Sequence, residues 1–317
     1  MPHIVSTNSE PPRAGTAPDP TKPDGGVVGV RKRGSKPGRP GRTRKPAERP
    51  NIIAGAFGWI WLAIIILPIY YIVITAFRTS QDLRSNNQLL PSSEPTLAPF
   101  VRVIENDFFQ FFFNSVIVTV STVAVVLSVS LMAAYYITRS TAWGGTRLFQ
   151  LILLGIAIPV QATIIPVYYL IRQLGLYDTL WALILPQIAF AIPLSVLIIV
   201  NFVRDIPNEL FESMRMDGAG EWKILQSLVV PMAKPALMTV GIYQALQVWN
   251  GFLFPLVLTQ SRDVRVLPLS LWEYQGQFGI DVPATLAAVV LSAVPLFIAY
   301  ILGRRYIVAG LTAGFSK

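Results

Sequence analysis

The stretch ESMRMDGAGEWKILQSLVVPMAKP, residues 212–235, places six charged side chains between two long apolar stretches that hold almost none. Pro207, just upstream, suits the first turn of a helix, where its missing N–H costs no hydrogen bond. Glu209 and Glu212 favour the positive end of that helix. Gly218 can adopt a positive φ, which predicts that the helix ends there.

A second helix is predicted from about residue 220 to residue 230, after which Pro231 and Pro235 are expected to stop it and restart the chain. Leu210 and Met214 lie four residues apart with Phe211 beside them, which gives the first helix a short apolar face. Two short helices at an angle, one with an apolar stripe, indicate a surface that docks another protein.

The rest of the chain has the composition of an all-α membrane protein. Charged residues make up 14% of the sequence, whereas a soluble domain carries about 25%. Six stretches without any charged residue approach or exceed the length of about 20 residues that crosses the hydrocarbon core. Backbone groups in lipid must be satisfied within each stretch, so all six are predicted to be transmembrane helices. They are residues 52–77, 114–137, 149–171, 180–202, 236–258 and 284–302.

The distribution of basic residues predicts that both termini and the segment 204–235 lie in the cytoplasm. With the N-terminus inside, inner segments hold twenty Lys and Arg residues and outer loops hold six. Eleven of the twenty lie in residues 1–50, a segment with ten prolines and seven glycines that is predicted to be a disordered cytoplasmic tail. The tail is expected to set the orientation; contact with anionic lipid headgroups is the alternative. No nucleic-acid binding is expected.

The chain offers little for catalysis or metal binding. It has no cysteine and one histidine, His3, so thiol chemistry is excluded and imidazole chemistry is not expected. No catalytic residue, metal site or bound cofactor is predicted. The predicted spans also lack the acidic and histidine residues of proton-coupled carriers, and the chain has no Gly-rich phosphate loop followed by Lys-Ser/Thr. An energy source outside this chain is therefore favoured.

The segment 212–235 resembles the cytoplasmic signature of binding-protein-dependent ABC importer permeases. That signature reads E-A-A, then three residues, G, nine residues and I-x-L-P. Glu212-Ser213-Met214, Gly218 and Leu228-x-Val230-Pro231 fall at this spacing, although both alanines are replaced. Five other fragments are similar to the carbohydrate-uptake branch and its MalG-like subunit. They are NSVIVTVSTVAVVLSVSLMAAYYITR (114–139), GLYDTLWALILP (175–186), VWNGFLFPLVL (248–258), VLPLSL (266–271) and RRYIVAGLTAGFSK (304–317).

The resemblance implies a type I ABC importer permease of MetI-like fold over residues 51–317, with its core at about 110–310. It implies a MalF-like second permease, ABC ATPase subunits that use ATP and Mg²⁺, and an extracytoplasmic sugar-binding protein. It makes 204–235 a coupling segment, whose helix pair 207–230 docks on the ATPase. The residues that the resemblance assigns to this docking are Glu212, Ser213, Met214, Arg215, Asp217, Gly218, Ala219 and Pro231.

Two further sets of residues are candidates for contact with substrate and with the binding protein. Polar and aromatic residues of the spans are candidates for a sugar path, although polar residues also form hydrogen bonds between membrane helices. The outer loop, residues 259–283, is expected to reach the binding protein; an interfacial anchor is the alternative. The path candidates are Gln161, Tyr243, Gln247, Trp249 and Asn250, and the loop candidates are Arg265, Trp272, Glu273 and Tyr274.

The alternative functions are an ABC importer permease for a non-sugar solute and an ion-coupled carrier that works alone. A membrane enzyme is disfavoured, because the chain lacks cysteine, a useful histidine and clustered acids within the spans.

Overall fold

A computed structural model describes residues 52–140, 143–276 and 279–313. The tail predicted at residues 1–50 lies outside the described residues. The described part is helical apart from one antiparallel pair of two-residue strands, β1 (Gln275–Gly276) and β2 (Gly279–Ile280). The helices are α1 (Ile52–Ala76), α2 (Ser80–Ser85), α3 (Ala98–Glu105), α4 (Phe108–Arg139), α5 (Trp143–Leu154), α6 (Ile164–Gln173), α7 (Leu180–Arg204), α8 (Asn208–Met216), α9 (Glu221–Ile224), α10 (Val230–Trp249), α11 (Leu253–Leu258), α12 (Leu267–Ser270) and α13 (Val282–Ala313).

The prediction of six spans is not confirmed, because the described helices provide four candidate spans, or five if one bent pair counts as a span. The bent pair, Trp143–Ala157 and Val160–Gln173, turns by 90°. The last predicted span falls in α13, in which Val282–Ile298 forms a shorter apolar helix. The four long candidates are Gly55–Ala76, Phe108–Arg139, Leu180–Arg204 and Glu221–Trp249.

The 90° bend coincides with a close approach between the end of α5 and α7. A Cβ atom added at Gly155 would lie 2.7 Å from Cγ of Pro193, inside any normal contact distance. Pro159 follows in extended backbone between two short 3₁₀ turns, Gly155–Ala157 and Val160–Thr163. The glycine therefore permits the contact with α7, and the proline separates the two arms of the bend.

We expect Gly155→Val to destabilise the protein by about 1–3 kcal/mol, the usual cost of overpacking a well-packed site. The valine side chain would meet the ring of Pro193, which is held within α7 and cannot move away freely. Thermal unfolding of the detergent-solubilised chain measures the change. Gly58→Val is the matched control, since no atom lies within 4 Å of a Cβ at that position. Equal melting temperatures for the two variants would contradict the predicted clash.

The prediction that Pro231 and Pro235 stop the second helix of the coupling segment is wrong. One π turn, Leu225–Val229, joins α9 directly to α10, so the helix runs from Glu221 to Trp249. Pro231 lies in the first turn of α10, and Pro235 lies inside it. A π turn already redirects the local hydrogen-bond ladder, which explains why a proline next to it does not end the helix.

The fifth predicted span, 236–258, is also wrong in its C-terminal half. The helix ends at Trp249, and α11 begins separately at Leu253. Gly251 lies in the break, where an added Cβ would meet the carbonyl oxygen of Val248 at 3.0 Å. The chain therefore leaves the helix within the apolar stretch, which hydropathy alone does not reveal.

Three central helices, α4, α7 and α10, form the core that supports the coupling segment. The ends of these helices nearest α8 bury an apolar cluster that also takes in Phe211 of α8 and Ile224 of α9. Buried Gln244 of α10 donates to Oγ of Ser195 at 3.0 Å and to the carbonyl oxygen of Ala191 at 3.3 Å, both on α7. The coupling segment is thus built onto a packed three-helix core.

Candidate functional site

The turn at Gly218 gives the coupling segment its shape. Gly218 has φ +79°, and its N–H donates to the carbonyl oxygen of Arg215 at 3.0 Å. The N–H of Ala219 donates to the carbonyl oxygen of Met214 at 2.9 Å. This pair of bonds is a Schellman motif, which satisfies the last carbonyls of α8. The prediction that Gly218 ends the first helix is confirmed.

The helix α8 buries one side and leaves the other free. Phe211 is buried in the apolar cluster of α4, α7 and α10, and Met214 and Ala219 are half-buried against it. Leu210 is exposed, so the apolar face expected from Leu210 and Met214 is instead made by Phe211 and Met214. The difference of one position arises because the core lies on the side of α8 that faces α4.

The free side of α8 combines charge with exposed apolar side chains. Met216 is 87% exposed, and Leu210 and Trp222 are exposed near it in sequence. A surface with apolar anchors among charges is typical of a helix that binds in a groove of another protein. The predicted docking residues that the structure exposes are Glu212, Ser213, Arg215, Asp217 and Gly218.

Two further predicted docking residues, Arg215 and Pro231, also have roles within the chain itself. Arg215 forms an ion pair with Glu221 of α9, with Nη2 and Oε1 3.1 Å apart. Pro231 is exposed but belongs to the first turn of α10, beyond the turn at Gly218.

Three of the predicted path residues line one cavity. Gln161, Tyr243 and Gln247 border a cavity of about 340 Å³, and Nε2 of Gln247 donates to the hydroxyl of Tyr243 at 3.3 Å. Gln187, Phe190 and Phe252 also line it and were not among the predicted path candidates. The cavity lies where the chain breaks twice, at Val160 and at Gly251. Breaks of this kind occur in membrane proteins where the backbone lines a cavity.

Trp249 and Asn250 lie apart from that cavity. The indole of Trp249 is buried, donates to the carbonyl oxygen of Ser292 at 3.3 Å and packs edge-on against Phe112. Nδ2 of Asn250 donates to the carbonyl oxygen of Leu246 at 2.8 Å, which caps the end of α10. Trp249 therefore packs α10 against α13, and together with Asn250 it borders a separate cavity of about 200 Å³.

The outer loop is organised by an ionic cluster. Glu273 pairs with Arg265 and, at 3.4 Å, with Arg262. Arg262 also pairs with Asp107 at 2.7 Å. Desolvation lowers the pKa of Arg265, whereas desolvation raises the pKa of the Tyr274 phenol, which is buried. Trp272 is half exposed beside this cluster and is the member of the predicted set most accessible to a partner.

The carboxylate of Asp178 also fixes the start of the outer loop. Burial alone would raise the pKa of Asp178, but the N–H groups of Gln260 and Ser261 donate to its carboxylate and lower the pKa below its usual value. Asp178 lies in the turn before α7, so its carboxylate ties that turn to the outer loop. Neither this contact nor the one between Arg262 and Asp107 was apparent from the sequence, because the partners lie far apart in the chain.

A helical bundle with four long apolar candidate spans among the described residues indicates an integral membrane protein. Residues 126–308 match the family described as the binding-protein-dependent transport system inner membrane component. The chain belongs to this family and is an integral membrane permease subunit of an ABC transporter.

The relatives support the same assignment over most of the chain. The putative ABC transporter permease protein ORF2 of Caldicellulosiruptor sp. (strain Rt8B.4) is 40% identical over 258 residues, 81% of this chain and 94% of that protein. The arabinooligosaccharides transport system permease protein AraQ of Halalkalibacterium halodurans is 31% identical over 265 residues, 82% of this chain and 94% of that protein.

A solved structure has the same fold. One chain in the crystal structure of a bacterial ABC transporter involved in the import of the acidic polysaccharide alginate superposes with a TM-score of 0.72 at 22% identity. The match covers 80% of this chain and 95% of that chain.

Proposed function

We propose that this chain is one of two permease subunits of an ABC importer for sugars or oligosaccharides. It crosses the membrane six times with both termini in the cytoplasm and forms the translocation path with a MalF-like partner. ATPase subunits, which use ATP and Mg²⁺, bind below it, and an extracytoplasmic sugar-binding protein delivers the substrate. The observation that carries the sugar assignment is the likeness to a permease named for arabinooligosaccharides over 82% of this chain.

The coupling segment is the proposed docking surface for the ATPase. Its support is the free side of α8, where exposed Glu212 and Asp217 lie beside the exposed side chain of Met216. Apolar anchors provide adhesion and charges provide register when a helix binds in a groove. The buried side of α8 holds this surface in place.

The cavity bordered by Tyr243 and Gln247 is the proposed contribution of this chain to the sugar path. Amide and phenol groups suit a substrate covered with hydroxyl groups, since each donates and accepts hydrogen bonds. A cavity of about 340 Å³ is at the lower end of the range of small-molecule sites.

We expect Gln247→Ala to reduce uptake by about fivefold, since one neutral hydrogen bond contributes about 1 kcal/mol. Radiolabelled sugar uptake into proteoliposomes that hold the complete transporter provides the measurement. Gln150→Ala is the matched control, because Gln150 is exposed on α5 and does not line the cavity. Equal uptake by the two variants would argue against a role of this cavity in the path.

The function as a whole is tested by reconstitution of the chain with its partner permease, ATPase and binding protein. Ligands of the binding protein are first identified by its thermal stabilisation with arabinooligosaccharides, other neutral oligosaccharides, amino acids and phosphate. ATP-dependent uptake of a saccharide supports the proposal. Stabilisation by a non-sugar solute alone would make the chain a permease for that solute. Ligand-dependent flux through this chain alone would instead indicate an ion-coupled carrier.

A further inference from the structure

The inner end of α4 is joined to the coupling segment by one arginine. Nη2 of Arg139 donates to the carbonyl oxygens of Val203 at 3.1 Å and Ile206 at 3.2 Å, where α7 ends. Its Nη1 donates to Oδ1 of Asn208, the first residue of α8. Its guanidinium carbon lies 3.5 Å from the ring centroid of Phe211. A planar guanidinium can make these contacts together, whereas a lysine ammonium cannot reproduce them.

Tyr135, one turn before Arg139 in α4, holds the other end of α8. The ring of Tyr135 stacks on Phe211 with centroids 6.4 Å apart, so Phe211 contacts both Tyr135 and Arg139. The hydroxyl of Tyr135 donates to the carboxylate of Glu221, which also pairs with Arg215 of α8. Both ends of α8 are therefore tied to the last turns of α4.

The outer end of α4 is joined to the outer loop, residues 259–283. Nδ2 of Asn114 donates to the carbonyl oxygens of Asp263 at 2.8 Å and Arg265 at 2.9 Å. Oγ of Ser115 accepts the N–H of Leu267 at 2.9 Å. Because the loop contributes backbone groups to all three bonds, they fix the position of the loop itself and not only of its side chains.

The helix between these two ends is unbroken. α4 has 32 residues and contains neither proline nor glycine. Its neighbours are less regular, because α7 contains Pro186 and Pro193 and α10 contains Pro235 and begins at a π turn. The 22 residues from Asn114 to Tyr135 span about 30 Å at 1.5 Å per residue. Proline and π turns are among the identified causes of helix kinks, so α4 has no proline hinge between its two sets of contacts.

We propose that α4 is the element that couples the ATPase side of this permease to its outer loop. Tyr135 and Arg139 are positioning residues that make α8 and α4 move together, and Asn114 passes the displacement to the loop that faces the binding protein. The proposal rests on the proposed function, since it requires the ATPase to dock on α8. The contacts place α4 between the two sites, and the second arrangement that energetic coupling requires is what the ATP-dependent signal described below reports.

The test measures whether ATP changes the outer loop through α4. The chain has no cysteine, so Trp272→Cys allows a single fluorophore to be placed in the loop when the partner subunits are cysteine-free. The complex of both permeases with a hydrolysis-deficient ATPase is assembled in nanodiscs, and ATP with Mg²⁺ is added. The expected result is a change of fluorescence on ATP binding. Arg139→Lys and Asn114→Ala should each remove at least half of that change, and Tyr135→Phe should reduce it to a smaller extent.

Arg147→Lys is the matched control, because Arg147 stacks on Trp143 of α5 and, within the described residues, forms no hydrogen bond or ion pair with α8. It should leave the fluorescence change intact. Co-purification of the ATPase is recorded separately for every variant. Asn114 lies far from the docking surface, so its variant tests the proposal even if Arg139→Lys fails to assemble. A full-sized change in Asn114→Ala, or no change in the unmodified chain, overturns the proposal. Failure of the ATPase to bind the unmodified chain overturns the proposed function itself.

Discussion

Replacement of Gly218 by proline is expected to abolish uptake while the chain still inserts in the membrane. Proline fixes φ near −65°, whereas Gly218 has φ +79°. The substitution also removes the N–H that donates to the carbonyl oxygen of Arg215. Both changes destroy the turn that sets α8 against α9, at a local cost of about 3 kcal/mol or more. ATP-dependent uptake should fall by at least about 100-fold, and the ATPase should no longer co-purify with the chain.

Two further glycine variants separate backbone conformation from side-chain bulk. Gly218→Ala should cost about 1–2 kcal/mol, the penalty of a left-handed conformation for an L-residue, and should reduce uptake only in part. Gly220→Ala is the control, since Gly220 has φ −71° and no atom lies within 4 Å of an added Cβ. Normal ATPase association in Gly218→Pro would show that the turn does not position the docking surface.

The turn at Gly218 was predictable because its cause is local. A glycine directly after the last helical residues supplies the positive φ that a Schellman motif requires, and both hydrogen bonds of the motif lie within six residues. The existence of the long apolar helices was predictable for a similar reason, since their length and composition are properties of the sequence alone.

The contacts that hold the coupling segment were not predictable, because they join distant parts of the chain. Tyr135 and Glu221 are 86 residues apart, and Arg139 and Asn208 are 69 residues apart. The burial of Trp249 likewise depends on Ser292 in another helix. Hydropathy also did not show that the helix after Gly218 continues through Pro231. The π turn before Pro231 is a change of hydrogen-bond register, and amino-acid composition does not indicate such a change.

Charge reversal at Glu212 is expected to prevent docking without disturbing the chain's own fold. Glu212 is exposed on the free side of α8, and within residues 52–140, 143–276 and 279–313 no side chain pairs with it. This separates it from Arg215, which already pairs with Glu221. Substitution of an exposed residue with no partner changes stability by about 0.5 kcal/mol or less, so a loss of uptake in Glu212→Lys reports on the interface.

If Glu212 faces a basic group of the ATPase, the lysine places two like charges together, which costs several kcal/mol. Co-purification and ATP-dependent uptake should then each fall by about 100-fold, and a charge reversal at the facing basic residue of the ATPase should restore both. Glu94→Lys makes the same charge change on the exposed segment between α2 and α3 and should leave uptake unchanged. Retention of ATPase binding by Glu212→Lys would remove Glu212 from the interface and assign docking to the apolar side chains around Met216.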